Sequence, residues 1–370
     1  MEMMLVKSSL KRKTTSHSFE PGITRDILLR LPVEALNRFE HVCKPWQALV
    51  QNININRRRL LYATMAKPLL SIQYEALNKE VIDSAIKEVH SSNIVEPNTD
   101  VTLLGSCHAL VLLEKDEILL LLWNPSTGET RVFPKPALQE KDLIFHGLGY
   151  DPSTEDYKII LGHSDPLKTV IEVFSVKRNA WRTYIDLECG KQSMQDLQGC
   201  YLNGAIHWIN ISFMKSSIIS FSLADNRFEE TLPLPDLGPD RSFELTCLGI
   251  GTAKNRLFVY SGPDCSCLSI WVMKEFGVGE SWTRVVHVPS ELIRQDFGRG
   301  EHGLKPVCIL DSGQVMIAHD EKCLLLYDPK ARTFRKIIHE DIYDSPVEVL
   351  TYEENLESLP VAEVVKLEED

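Results

Sequence analysis

Two hydrophobic periods divide the chain. From about Ile23 to Leu61 the apolar residues recur at helical spacing. Ile27, Leu28 and Leu31 are spaced for one face of a first short helix, which Pro32 stops. Pro32 also suits the first turn of a second helix, where its missing N–H costs nothing, and Glu34 there suits the positive end of the dipole. Leu36, Phe39 and Val42 come next at three-residue steps. Pro45 ends or kinks that helix and begins a third, on which Trp46, Leu49 and Val50 form an apolar stripe.

After residue 100 short apolar runs alternate with turn chemistry. "CYLNGAIHWI" (200–209) predicts a hairpin with Asn203-Gly204 at its tip, because both central positions of a type I′ turn need positive φ. "ILDSGQVMI" (309–317) reads the same way around Ser312-Gly313. The best helical pattern in this region is 75–89, where Ala76, Val81, Ile82, Ala85 and Ile86 could line one face.

A repeat runs through the second region. "LWNPSTGETRVF" (122–133), "VFSVKRNAWRTY" (173–184), "SFSLADNRFEET" (220–231) and "LYDPKARTFRKI" (326–337) each carry an aromatic residue, a short turn and a second strand. "GYDPSTEDYKII" (149–160) is an out-of-phase copy, and "IWVMKEFGVGESWTRV" (270–285) has an enlarged turn. The in-phase aromatics Trp123, Phe174, Phe221, Trp271 and Tyr327 are 51, 47, 50 and 56 residues apart. A period near 50 fits a four-stranded propeller blade of kelch type. One such sheet cannot bury both faces alone, whereas radial stacking covers each blade with its neighbour. Five units are countable, and a sixth comes from 60–100 or from the C-terminal "VEVLTY". A two-sheet sandwich or distorted barrel is the rival architecture. The fold class is mainly β with a small N-terminal α-helical module, and about six blades.

Charge separates the same two regions. Residues 1–60 hold 11 Lys/Arg against 5 Asp/Glu, whereas the remainder holds 29 against 47. The larger part would repel a nucleic acid. Nine cysteines in irregular spacing read as reduced thiols, several of them core residues, and Cys265-x-Cys267 has no second pair at metal-finger spacing. The apolar runs fit neither a signal peptide nor a bilayer span, so a soluble protein of the cytoplasm and/or nucleus is expected, with "KRK" at 11–13 as a candidate import signal. Residues 1–18 and the acidic 346–370 read as flexible tails.

The segment "ILLRLPVEALNRFEHVCKPWQALV" resembles the F-box, through Ile27, Leu28, Leu31-Pro32-Val33, Leu36, Phe39, Val42-Cys43-Lys44 and Trp46. The chain beyond that segment resembles the F-box-associated interaction domain of plant F-box proteins. "LLGSCHALVLL", "LWNPSTGE", "LGYDPSTEDYKII", "VFSVKRNAWR", "LNGAIHWI", "ISFSLADNRFEETLPLP" and "WVMKEFGVGESWTRV" stand in that family's order. Where the F-box usually opens with Leu-Pro, this chain has Glu20-Pro21. The resemblance implies an F-box over 19–60 and a kelch-like propeller domain over 61–345. It implies a module that docks on a Skp-type adaptor, and through it on a cullin scaffold, while the β domain holds a target protein for ubiquitination. Candidate outward-facing residues are Pro21, Leu31, Pro32, Leu36, Val42 and Trp46. The alternative is that these side chains form the module's own core.

No catalytic motif is present: there is no GxSxG, HExxH, P-loop or GxGxxG followed by an acid. His41, His108, His207 and His319 read as satisfied core or surface histidines, and Cys107-His108, taken as strand neighbours, would point to opposite faces. Neither metal nor cofactor is expected. Competing functions are a ligase-independent protein-binding propeller with a degenerate F-box, and a propeller hydrolase. Segments 161–169, 186–198, 235–243, 261–267 and 293–303 are the loops expected to meet a target, with no single contact residue named.

Overall fold

The computed structural model describes residues 21–361, except 29–30, 32, 52–56, 65–66, 79–84, 90–100, 117–118, 137–142, 166–167, 187–192, 195–196, 212–215, 230–231, 238–246, 263–266, 298–302, 320–322 and 340–346. Two compact units result, residues 1–55 and 56–370. The expected tail at 1–18 lies outside the described residues.

The first unit contains α1 (Pro21–Leu28), α2 (Val33–Glu40) and α3 (Lys44–Gln51). Leu28, Val33, Leu36 and Val50 are buried, and Phe39 meets Trp46 edge to face with ring centroids 5.1 Å apart. The spacing predicts Ile27 and Leu28 on one face. Ile27 is instead 50% exposed and Leu28 buried, because neighbours on a helix are about 100° apart. Pro45 sits in the first turn of α3, after α2 has already closed at Glu40.

The second unit is a six-bladed propeller. Blade 1 contains β1 (Arg57–Thr64), β2 (Lys67–Ile72) and β3 (Ile86–Glu88). Blade 2 contains β4 (Val101–Cys107), β5 (Leu110–Lys115), β6 (Leu119–Trp123) and β7 (Thr130–Pro134). Blade 3 contains β8 (Leu143–Asp151), β9 (Asp156–Asp165), β10 (Lys168–Ser175) and β11 (Ala180–Asp186). Blade 4 contains β12 (Ser193–Met194), β13 (Cys200–Leu202), β14 (Ala205–Ile211), β15 (Ser217–Ser222) and β16 (Arg227–Phe228). Blade 5 contains β17 (Cys247–Ala253), β18 (Arg256–Gly262), β19 (Leu268–Met273) and β20 (Trp282–Val288), with α4 (Ser290–Phe297) after it. Blade 6 contains β21 (Leu304–Ile309), β22 (Val315–His319), β23 (Cys323–Asp328) and β24 (Thr333–His339).

The last strand, β25 (Val347–Glu354), pairs antiparallel with all of β1 and completes blade 1. Both expected sources of the sixth blade therefore contribute to it. This corrects the boundaries: 347–354 is a strand and not tail, and β1 begins at Arg57, inside the segment assigned to the helical module. Residues 355–360 are also held. The Asn124 side-chain amide donates to the Glu357 carbonyl at 2.7 Å, the Leu359 N–H to Glu129 at 2.7 Å, and Arg131 to the Pro360 carbonyl at 2.9 Å. The helix considered over 75–89 is absent from the described part: 74–78 is a 3-10 turn and 86–88 is β3, because these residues complete a sheet. Residues 79–84 lie outside the described residues.

The core consists of six inter-blade clusters, and alternation along each strand feeds two of them. In "LLLLW", Leu120 and Leu122 pack towards blade 3, whereas Leu121 and Trp123 pack towards blade 1. Strands buried on both faces read as continuous apolar runs, which removes the polar half of the usual β signature. Each in-phase aromatic lies on the third strand of its blade; Trp123, Phe174, Phe221 and Tyr327 are almost fully buried, and Trp271 is half-buried.

The turn after four of these five strands, all but that of Trp271, has a repeated design. The residue after the aromatic is Asn124, Ser175, Ser222 or Asp328, and its side chain accepts a backbone N–H two or three residues on. The residue five after the aromatic is Gly128, Asn179, Asn226 or Arg332, each with φ between 54° and 78°. Asp151 and Glu155 repeat this geometry in the out-of-phase copy. The Asn203-Gly204 tip has φ of 53° and 77°, as a two-residue type I′ hairpin needs. The Ser312-Gly313 turn differs. Only Gly313 has positive φ, and the Gly313 N–H donates to the Leu310 carbonyl at 3.0 Å, so a longer turn ends on one left-handed glycine.

Candidate functional site

Counted outward from the innermost strand of each sheet, which in blade 1 is β25, the turns between strands 1 and 2 gather at one end. The strand alternation puts the strand 3–4 turns at that same end and the strand 2–3 connections at the other. A central cavity of about 400 Å³ is lined by β4, β13, β17, β21 and β25 and by their turns.

Two glycines of the inner strand β17 make room for aromatic rings of its neighbour β18. Gly249 and Gly251 pair across strands with Tyr260 and Phe258. A Cβ at either position would lie within 2.5 Å of the facing aromatic side chain. Aromatic rings from β18 thus fold over the inner strand, a recognised way to stabilise strand glycines.

Side chains near the turns link neighbouring blades. His108, at φ 53° between β4 and β5, places Nδ1 3.1 Å from the Tyr157 hydroxyl. Its ring centre is 5.4 Å from that of Tyr150 and 5.7 Å from that of Tyr201. The Tyr201 hydroxyl donates to the Tyr150 carbonyl at 2.9 Å, and the Glu353 N–H donates to the His108 carbonyl at 2.9 Å. Lys158 is buried against Asp151 at 2.9 Å and donates to the blade 4 acceptors Leu223 and Asn226. Lys254 reaches Asp311 of blade 6 at 2.8 Å. In blade 1, Arg59 pairs with Glu354 at 2.9 Å and donates to Ser71 at 2.8 Å.

These contacts set the protonation states. Burial alone would raise the Asp151 carboxyl, but hydrogen bonds from Ser153, Lys158 and Thr154 outweigh it and hold it at about 2. Burial, with the nearby Glu353 and Glu357 charges, pushes the Cys107 thiol well above its ordinary value. Burial pushes Tyr157 up, and Tyr201 up to about 12. His207 is fully buried, with Nδ1 2.7 Å from Ser220 and Nε2 3.2 Å from the Leu202 carbonyl; desolvation lowers it to about 4. Cys107 is therefore a neutral thiol at physiological pH. His108 sits on a turn and not on a strand, and spends Nδ1 on Tyr157. This end of the ring offers fixed donors, acceptors and cations, which suits holding a ligand. Among the described residues no group of three His, Cys, Asp or Glu side chains could hold a metal ion.

Most of the expected target loops fall elsewhere, although 186–198 ends on Gln198, which lines the cavity. Segments 161–169 and 261–267 are strand 2–3 connections, and 186–198 and 293–303 join successive blades, so their strands leave from the end opposite the turns. Segment 235–243 links blades 4 and 5. Parts of all five lie outside the described residues. Residues 161–165 and 168–169 belong to β9 and β10, and 293–297 are the last residues of α4, whose Ile293 is buried. No sequence motif singles out the channel residues Arg58, His108, Asn203, Lys254 and Lys305 as a site. The signal most of them share is a position in or beside the short turns between first and second strands.

In the helical unit the docking candidates separate. Val42 is 62% exposed, in the turn after α2, and Leu31 and Trp46 are half-buried. Leu36 is fully buried and so does not face outward; it is a core residue of α2. Pro21 opens α1, and Pro32 lies outside the described residues. Ile23 and Ile27 are exposed apolar residues of α1 absent from the candidate docking set, at 51% and 50%.

Residues 62–362 match the F-box associated beta propeller domain. F-box/kelch-repeat protein At3g23880 of Arabidopsis thaliana is 27% identical over 343 residues, covering 85% of this chain and 90% of that protein. F-box protein CPR1 of the same plant is 27% identical over 308 residues, 72% of each chain. F-box protein At3g07870, also from Arabidopsis thaliana, is 23% identical over 405 residues, covering 90% of this chain and 93% of that protein. The chain belongs to the family of F-box associated β-propeller proteins.

Proposed function

We propose that this protein is a substrate receptor of an SCF-type ubiquitin ligase. Its helical unit docks on a Skp-type adaptor, and through it on a cullin scaffold, while the propeller holds a target protein. One observation carries the reading: a separate helical unit with F-box-like sequence and exposed Ile23, Ile27 and Val42 precedes an F-box associated propeller. Burying such aliphatic side chains in a partner groove contributes roughly 1.5–3 kcal/mol each. Helices laid into a groove are a common recognition mode. The receptor's role is positional and non-catalytic. Tethering raises the effective concentration of target lysines near the ligase's loaded conjugating enzyme. The cytosol and nucleus, where thiols stay reduced, suit its free cysteines.

The test is copurification with a Skp-type adaptor. Leu31→Asp with Pro32→Ala is expected to abolish recovery of the complex. Unchanged recovery rules out this docking surface. Recovery failing already with the natural sequence would favour a ligase-independent binder, the reading that the Glu20-Pro21 start supports.

A further inference from the structure

The chain does not leave the domain where β25 ends. Residues 355–361 run on past the turn between β6 and β7 to the seam of blades 2 and 3, and they belong to no strand. Propeller side chains hold them. The Asn124 amide nitrogen donates to the Glu357 carbonyl at 2.7 Å and to the Asn355 carbonyl at 3.4 Å. Glu129 accepts the Leu359 N–H at 2.7 Å and the Ser358 hydroxyl at 3.4 Å. Arg131 donates to the Pro360 carbonyl at 2.9 Å. Leu359 packs on the apolar cluster between blades 2 and 3, and Val361 is 84% exposed.

The groove is built by contacts that do not involve this occupant. The Asn124 side chain accepts the Ser126 N–H at 2.8 Å, and the Asn124 N–H closes the turn on the Glu129 carbonyl at 3.0 Å. Arg131 crosses the seam to the Val176 carbonyl at 3.1 Å and the Asn179 side-chain oxygen at 2.9 Å. Its guanidinium lies 4.9 Å from the centre of the Phe133 ring. Donors and acceptor are thus set in place before a segment arrives, which lowers the cost of binding one. Three main-chain carbonyls and one N–H are read, groups that a foreign peptide also offers. Pro360 brings no N–H that needs a partner.

We infer that this groove is a peptide-docking site which residues 355–361 fill as a resident occupant, and that its external partner is a target segment of the same chemistry: a small uncharged residue, an aliphatic residue and a proline in succession. The resident segment shows what the groove selects. The aliphatic residue takes the place of Leu359 on the blade 2–3 cluster. An acid in the place of Ser358 would meet the Glu129 carboxylate and be repelled. Target and resident segment then compete for one groove, so the chain's own end limits which targets are held. This rests on the propeller as the target-holding part. Adaptor capture by the helical unit is measured separately, so failure of one reading leaves the other standing.

The test uses the full-length chain and fluorescence anisotropy. The probe is a labelled peptide, NLESLPVA, the sequence of residues 355–362. It is titrated into the natural chain and into a released chain, in which Gly and Ser replace residues 355–361. In the natural chain the tethered segment competes at an effective concentration on the order of millimolar, so the peptide is expected to bind the released chain at least about tenfold more tightly. In the released chain Arg131→Ala is expected to weaken the peptide at least about tenfold. Peptides carrying Leu359→Asp or Ser358→Glu are expected to lose at least about tenfold as well, the first for want of the anchor and the second against Glu129. Should the released chain not melt cooperatively, the full chain with Leu359→Asp serves in its place. Equal binding by natural and released chains overturns the inference, as does no binding by a released chain that melts like the natural protein. Undiminished binding with Arg131→Ala overturns it too. So does loss of the cooperative melt in both released forms, since the segment would then be part of the fold and not a replaceable occupant.

Discussion

The helical unit and the propeller solve the same burial problem in opposite ways. In the propeller every strand has a neighbour, and a blade's two faces go into two different clusters, as Leu120 and Leu121 show. The three eight-residue helices bury Leu28, Val33, Leu36 and Val50, yet leave Ile23, Ile27 and Val42 half exposed or more. About forty residues sit near the lower size limit for independent folding, and on the proposed reading the apolar surface left over is what the adaptor covers. The difference teaches that a polar substitution has different meanings in the two units: in the propeller it opens a core, and at the exposed helical positions it leaves the packing intact.

The largest effect expected is loss of ring closure. Removing residues 347–370 deletes β25, with it Leu350 and Tyr352 from the blade 1–2 core and Glu354 from buried Arg59. The truncated chain is expected to lose its cooperative thermal transition by circular dichroism. A transition near that of the full chain would show that blade 1 closes without it.

Next is the buried charge linking blades 3 and 4. Lys158→Met leaves Asp151 ionised and unpaired, and is expected to cost about 3 kcal/mol by urea unfolding. A similar cost comes from acid. His207 titrates at about 4 when folded, against an ordinary value of 6.5, so the unfolded chain binds the extra proton first. Its contribution is intact above pH 6.5 and is lost as pH falls towards 4, at most about 3 kcal/mol. His207→Gln is expected to flatten the stability profile over that interval. Asp151, held at about 2, adds a separate loss only below about pH 4, because its folded value lies under its unfolded one.

The smallest effect on stability is expected in the helical unit. Ile23→Asp, Ile27→Asp and Val42→Asp should each change the melt by no more than about 0.5 kcal/mol, as substitutions on an exposed surface do. Leu36→Asp, at a fully buried position, should cost several times that. Equal costs at Leu36 and Ile27 would erase the contrast between buried and exposed positions within the unit.

Much of the architecture is legible in the sequence. The aromatic spacing locates the third strand of five blades, and Asn203-Gly204 announces its hairpin through the positive φ that both residues tolerate. The turn after four of the five aromatics is also written locally, in Asn124, Ser175, Ser222 and Asp328 and in the left-handed residue four places later. The illegible parts depend on distant pairing. Residues 347–354 read either as acidic tail or, through "VEVLTY", as part of a sixth blade, and what decides is the pairing with β1 about 290 residues earlier in the chain. Ile86 looks helical until β2 supplies its partner. The channel is the extreme case. Arg58, Lys254 and Lys305 share no motif, and only ring closure brings their strands around one axis. In the helical unit, periodicity finds the apolar residues, but not which side each one faces. Leu36 and Val42 fall six residues apart, yet Val42 lies past the end of α2, where the helical phase no longer applies.

Calorimetric titration of the full-length chain with a purified Skp-type adaptor tests the central claim most directly. The natural protein is expected to bind in a single saturating event. The chain carrying Ile23→Asp, Ile27→Asp and Val42→Asp together is expected to give no heat of binding while melting as before. Undiminished binding by that triple variant would contradict the account.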